Sequence, residues 1–235
     1  MNQPNLDFVT FVGSTTPVNS LTWSHIVGNV NGVPELLVAV SQEVANANAT
    51  NLTITGVTFN GIALTLVANP QWSGFGSESS RTQRLELWRL PRVSMPVAGT
   101  YSIVVTFTGN VDACIGGSNT IYQIQGGIEA FNTGSVTNNN VISSFVTSLT
   151  NNALIFCAAA CQNGSGYTAG AGETQTINQS IGGSGHALTT TFKIGPTPAS
   201  YTMTETNSNG ESQGIIVCSI PFVALGGAEF LFNFL

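Results

Sequence analysis

Apolar residues in this chain recur at every second position, in short runs closed by Gly, Asn, Pro, Ser or Thr. Side chains of an extended strand alternate between two faces, so this period marks strands with one face in a core. No stretch carries the three-to-four-residue spacing of an amphipathic helix. The pattern predicts strands over residues 6–12, 21–27, 35–43, 52–59, 62–67, 83–90, 99–108 and 112–124. It predicts further strands over 141–146, 153–160, 173–178, 187–194, 200–205 and 213–222. Asn60-Gly61 between two of these runs is a hairpin signal, because both residues tolerate the positive φ of a type I′ turn. The expectation is an all-β chain: an antiparallel β-sandwich of jelly-roll type, its core drawn from the inward positions of two sheets. One domain is expected over residues 1–222, followed by an apolar arm over 223–235.

Charge narrows the role. Only 7% of the 235 residues are charged, 5 Lys and Arg against 11 Asp and Glu, where a soluble domain usually carries about 25%. With a net charge of −6 and no basic face, nothing displaces counterions from phosphates, so nucleic acid is excluded as a partner. The same balance disfavours an anionic bilayer surface. Apolar runs are broken well before the ~18 residues of a membrane-spanning helix, so no membrane insertion is expected. The first seven residues, Met-Asn-Gln-Pro-Asn-Leu-Asp, show neither the basic nor the apolar region of a secretory signal. A coat of uncharged Thr, Ser and Asn gives up the electrostatic repulsion that keeps monomers apart. Such a surface suits a protein that works in an assembly.

Cys157 and Cys161 lie four apart in a predicted strand, about 13 Å on one face, too far to bridge each other. Buried free thiols are expected for them and for Cys114 and Cys218. Asp7 and Asp112 are the only aspartates, and no run of alternating hard-oxygen ligands supplies a calcium loop. No metal and no cofactor are expected. His25 shares a strand face with Trp23 and reads as a hydrogen-bonded structural histidine. His186 follows Gly-Gly-Ser-Gly, which lacks the glycine of a nucleophile elbow. The chain therefore reads as non-enzymatic.

The two halves echo each other. Glu35-Leu-Leu-Val-Ala-Val40 corresponds to Ala153-Leu-Ile-Phe-Cys-Ala158, and Ala98–Thr106 to Pro198–Thr206 around Tyr101 and Tyr201. Internal pseudo-symmetry and the common composition of β-strands both account for this. Leu36–Ser41, Gly56–Thr65, Leu85–Leu90, Pro96–Phe107 and Thr168–Gln175 follow in an order that resembles a largely uncharacterised β-sandwich family. That family occurs in bacterial surface proteins and phage virion proteins. The resemblance covers roughly residues 20–222 and implies a single domain and no catalytic residues.

Three groups are candidates for contact. The tail after Gly226-Gly227 holds Phe230, Leu231, Phe232, Phe234 and Leu235. It either folds back as an edge strand or extends as an arm onto a neighbouring subunit. Arg81, Arg84, Arg89 and Arg92 gather four of the five basic residues in twelve positions. They mark either an interface with an acidic neighbour or a solvated strand face. Trp72 and Phe75, in a loop of small polar residues, are where a glycan would stack. The leading expectation is a virion structural protein, made in host cytoplasm: a capsid decoration, cement or fibre subunit, homo-oligomeric and in contact with other virion proteins. The alternative is a glycan-binding or adhesive module at a cell surface or outside the cell.

Overall fold

In a computed structural model, described for residues 5–28, 34–44, 53–73, 81–124, 127–162, 164, 166–182 and 186–221, every sheet pairing is antiparallel. The first half supplies β1 (Asn5–Ser14), β2 (Val18–Val27), β3 (Glu35–Val44), β4 (Ile54–Phe59) and β5 (Ile62–Ala63). It continues with β6 (Thr65–Ala68), β7 (Gln71–Ser73), β8 (Thr82–Leu90), β9 (Gly99–Val111) and β10 (Ala113–Tyr122). The second half supplies β11 (Ala130–Val136), β12 (Val141–Thr147), β13 (Ala153–Cys161) and β14 (Tyr167–Ala169). It ends with β15 (Thr174–Ser180), β16 (Ala187–Gly195), β17 (Ser200–Asn207) and β18 (Gln213–Ile220). Among the described residues only a 3-10 turn at Arg92–Ser94 interrupts this all-β pattern. Asn60 (φ 52°) and Gly61 (φ 76°) make the expected left-handed turn.

The strand orders repeat. A first inner sheet runs β1-β10-β3-β8-β6, with β7 also paired to β8, and a second runs β11-β18-β13-β16-β15. The outer sheets run β2-β9-β4-β5 and β12-β17-β14. Reading β11 to β18 as the counterparts of β1 to β10, with β15 standing for β6 and β7, the two halves have the same order in both sheets. The echo is therefore structural. Tyr101 and Tyr201 confirm it locally, each donating its hydroxyl to the carbonyl four residues back, Val97 at 3.1 Å and Thr197 at 2.6 Å. Packing sets the correspondence one residue away from the sequence echo in β3 and β13. Leu37 and Leu154 face the shared core, whereas Val38 and Ile155 face the outer cores. A one-residue slip exchanges the two faces of a strand.

Three core clusters define four layers. One lies between the first outer and inner sheets, around Trp23, Phe59, Trp88 and Ile103. Another lies between the second inner and outer sheets, around Ile155, Tyr167, Met203 and Val217. The third joins the inner sheets to each other through Leu37, Leu85, Ile115, Leu154, Phe156 and Ile216. The expected two-sheet core is thus two sandwiches stacked back to back. Central inner strands are consequently buried on both faces, every residue of β3, β13 and β18 included. All four cysteines are free and buried, as expected for thiols acting as small apolar groups.

Between the inner sheets β1 packs over β15, β10 over β16, β8 over β18, and β6 and β7 over β11. The first strand of each half thus faces the last inner-edge strand of the other. This is a two-fold relation with its pseudo-axis along the strands, the self-complementary contact of a symmetric dimer formed within one chain. Close approach is tightest where Trp72 lies on the backbone of β18. A Cβ added to Gly214 would sit 2.1 Å from the Trp72 ring. We expect Gly214→Ala to cost about 1–3 kcal/mol by overpacking in denaturant unfolding. Gly56→Ala, with no atom within 4 Å of the added Cβ, should stay within about 0.5 kcal/mol of the parent.

Candidate functional site

The charged residues are drawn inward. Strand β8 alternates as its sequence implies, but neither face is solvated. Arg84, Glu86 and Trp88 look into the first sandwich, where Trp88 donates Nε1–H to Glu86 Oε2 at 3.0 Å. Arg84 lies 3.6 Å from Glu86 and donates to Gln71 at 2.6 Å. Burial pushes the Glu86 carboxyl up, opposed by hydrogen bonds from the Ile54 backbone and Trp88 and by the Arg84 charge. Arg81 and Arg89 lie on the opposite face and pair with Glu43 and Glu35, at either end of β3. Arg89 grips Glu35 with two donors, Nε to Oε1 and Nη2 to Oε2 at 2.9 Å. These two pairs close the ends of the shared core.

With Lys193, held by Glu173 and the Thr202 carbonyl, four of the five basic side chains are only 12–29% exposed. Arg92, on the 3-10 turn, is exposed. The arginine cluster is therefore mainly internal, and the surface is poorer in charge than the composition alone implies. Trp72 is likewise not a loop aromatic. It is 6% exposed on β7, packs in the shared core and donates Nε1–H to Gln83 Oε1 at 2.8 Å. Gln83 in turn donates to Gln162 at 2.6 Å, across the two halves. A buried ring cannot stack on a sugar, which corrects the exposed placement expected for Trp72. Phe75 lies outside the described residues, as do Phe230, Leu231, Phe232, Phe234 and Leu235.

Two clusters have the chemistry of sites but are sealed. His25 is fully buried, with Thr10 Oγ1 and Ser118 Oγ each 2.9 Å from Nδ1 and the Thr120 hydroxyl at Nε2. Hydroxyls surround it and no carboxylate orients it, so it is the structural histidine expected. In the second sandwich Glu173 and Glu205 both accept from Thr191 Oγ1, at 3.4 and 2.5 Å. Burial, opposed by the Thr191 hydrogen bond and aided by the Glu173 charge, pushes Glu205 up to about 8. Burial holds His25 and His186 at about 4. Among the described residues no three His, Cys, Asp or Glu side chains gather as metal ligands, and no helix is long and apolar enough to cross a membrane.

Phe11, Val141 and Phe145 are exposed on the sheets, and the three most exposed large apolar side chains lie at one end. Strands β3 and β13 begin there and β8, β10, β16 and β18 finish there, because Glu35 and Arg89 act on Cys218 near the end of β18. At the opposite end Gln83 meets Gln162. The first end carries Val93 (93% exposed), Val97 (80%) and Leu149 (68%) on its loops. Around its edge, where β6 overlies β11, an open groove of about 230 Å³ is lined by Leu66, Val67, Arg89, Pro91, Ile128 and Phe131, among others. Strand β11 was not legible as a strand, since Ala-Phe-Asn-Thr-Gly-Ser-Val mixes turn residues with one aromatic. The only signal was its position directly after Ile128-Glu129, before the next strand. Matched against models of protein families and against curated proteins, the chain finds no counterpart.

The buried groups fix a pH profile. Glu205, raised in the folded state, contributes stability that is complete below its unfolded value of 4.5 and is lost as pH rises to about 8. The two histidines, lowered in the folded state, contribute stability present above 6.5 and lost as pH falls to about 4. Thermal or denaturant unfolding should therefore show greatest stability near pH 6.5, with a decline of up to about 2 kcal/mol by pH 8. Glu205→Gln should abolish that decline and steepen the acid limb, where the Glu205 slope otherwise opposes that of the histidines.

Proposed function

We propose that this chain is a non-enzymatic structural subunit of a virion, a capsid decoration, cement or fibre component, which acts by assembling with copies of itself and with other virion proteins. The observation that carries the reading is the apolar end of the block, where Val93, Val97 and Leu149 stand exposed beside the exit of β18. From that exit the chain continues into an almost wholly apolar tail, residues 230–235. Exposed apolar surface gathered in one place is a mark of contact with another macromolecule.

Further support comes from the faces left to solvent. Outward positions of β2, β9, β12 and β17 are dominated by Thr and Ser, as in Ser24 opposite Ser102 and Ser143 opposite Thr204. Such a coat neither repels a neighbour nor binds polyanions. Groups with displaced protonation equilibria, among them His25, His186 and Glu205, are buried within cores. We also read each half as wound in jelly-roll fashion, in keeping with β1-β10-β3-β8 facing β2-β9-β4-β5. This is the winding implied by the resemblance to phage and bacterial surface sandwiches.

The test is removal of residues 223–235. The full chain should run as a symmetric oligomer in size-exclusion chromatography with light scattering. The truncated chain should keep its far-ultraviolet circular dichroism and run as a monomer. A truncated chain that assembles like the parent overturns the proposal.

A further inference from the structure

Resting on that reading of the tail, we infer that the groove between β6 and β11 receives the apolar segment Phe230–Leu235 of a second copy of the chain. The groove is where the shared core is left open. Val67 and Ile128 pack at the margin of that core, and Leu66 (39% exposed) and Phe131 (54%) stand at the lip. Its volume of about 230 Å³ exceeds the roughly 150 Å³ that suffices to hold a benzene ring between aliphatic and aromatic walls. One phenylalanine ring fits, with a second against the lip. In an extended tail Phe230, Phe232 and Phe234 fall on one side, which matches a slot that runs along two edge strands.

The source of the segment follows from where the chain leaves. Strand β18 is the neighbour of β11, with Cys218 opposite Phe131 and Ser219 opposite Ala130. It runs outward and finishes at the apolar end. A tail that continues in this direction moves away from its own groove and meets the groove of a copy facing it end to end. Groove and exit lie at the same end of each copy. Two facing copies therefore exchange tails reciprocally, the isologous arrangement that closes a dimer. The broad inner faces, which would otherwise offer a self-complementary surface, are already occupied within the chain. The outer faces, the ends and the edges remain for such contact, and of these the ends carry the most exposed large apolar side chains.

Two measurements on the full-length chain decide the matter. Phe131→Cys and Phe232→Cys are prepared as separate chains, mixed and oxidised; the native cysteines described are buried. A disulfide-linked heterodimer is expected on a non-reducing gel, and its absence overturns the inference. In the doubly substituted chain cross-linked dimers are expected. A bridge confined to single chains shows that the tail fills its own groove and overturns the second-copy assignment. Leu66→Asp and Phe131→Asp, both at exposed positions, should raise the dimer dissociation constant at least tenfold. If removing 223–235 dissociates the oligomer while both groove variants assemble normally, the groove is wrong and the tail reading stands. If the truncated chain still assembles, or the full chain is monomeric, both fail.

Discussion

Everything in this molecule depends on the contact between its two inner sheets. Each is an ordinary sandwich sheet on one side, packed on its outer partner, but its second face meets the other half of the chain. A strand in that position has no solvent face. Any polar side chain it carries loses water on folding and must find a partner, since a buried polar group left unpaired costs about 1–3 kcal/mol. Several have one, while the Ser41 hydroxyl of β3 has none among the described residues. Glu35 has Arg89, Glu43 has Arg81, Trp72 and Gln162 share Gln83, and Asn119 accepts from Thr176 at 2.9 Å. Two of these links, Gln83 to Gln162 and Thr176 to Asn119, cross between the halves, so they fix how one sandwich sits on the other as well as satisfying buried atoms. Breaking one partner of such a pair leaves a charge with neither water nor counterion.

The same contact explains where the few charges went. Basic side chains usually supply a protein with solubility at its surface. Here Arg81, Arg84, Arg89 and Lys193 hold buried or nearly buried carboxylates instead. Solubility falls to hydroxyls and amides arrayed on the outer sheets. A surface of that kind is close to electrically silent, and its apolar exceptions, Val93, Val97, Leu149, Phe131, Phe145 and Phe11 among them, dominate what a neighbour would feel.

Much of the fold was legible in the order of residues, and the lapses follow a rule. Central strands were read nearly to their ends, because burial demands apolar side chains at regular intervals. The strands missed were β7, β11 and β14, all at sheet edges. An edge strand pairs along one side only and buries little, so Asn, Thr, Gly and Ser suffice and the alternation fades. Stacking in four layers was written in the unbroken apolar runs Leu-Leu-Val-Ala-Val and Ala-Leu-Ile-Phe-Cys-Ala-Ala-Ala-Cys. Such runs mark strands buried on both faces, yet each is equally at home in a single thick core. Trp72 misled for a related reason: its neighbours are loop residues, and only the tertiary partner Gly214, far along the chain, gives its ring a place. The arginines were grouped correctly, but their carboxylate partners lie on β3 and could not be paired by local spacing.

The pseudo-two-fold axis along the strands has one more consequence. In a dimer of identical subunits every residue at the interface appears twice, and a charge placed on one face must be tolerated by its mirror position. Joining both halves in one chain removes that obligation. It also makes their contact unimolecular, so dilution does not separate them. The chain uses this freedom: Glu43 faces the shared core from β3, while Ala160 holds the corresponding face of β13. One half brings the acid, and at the matching position of the other stands a small apolar side chain. Fusion here turns a symmetric contact into a lopsided one, with a division of labour that no pair of identical partners could adopt.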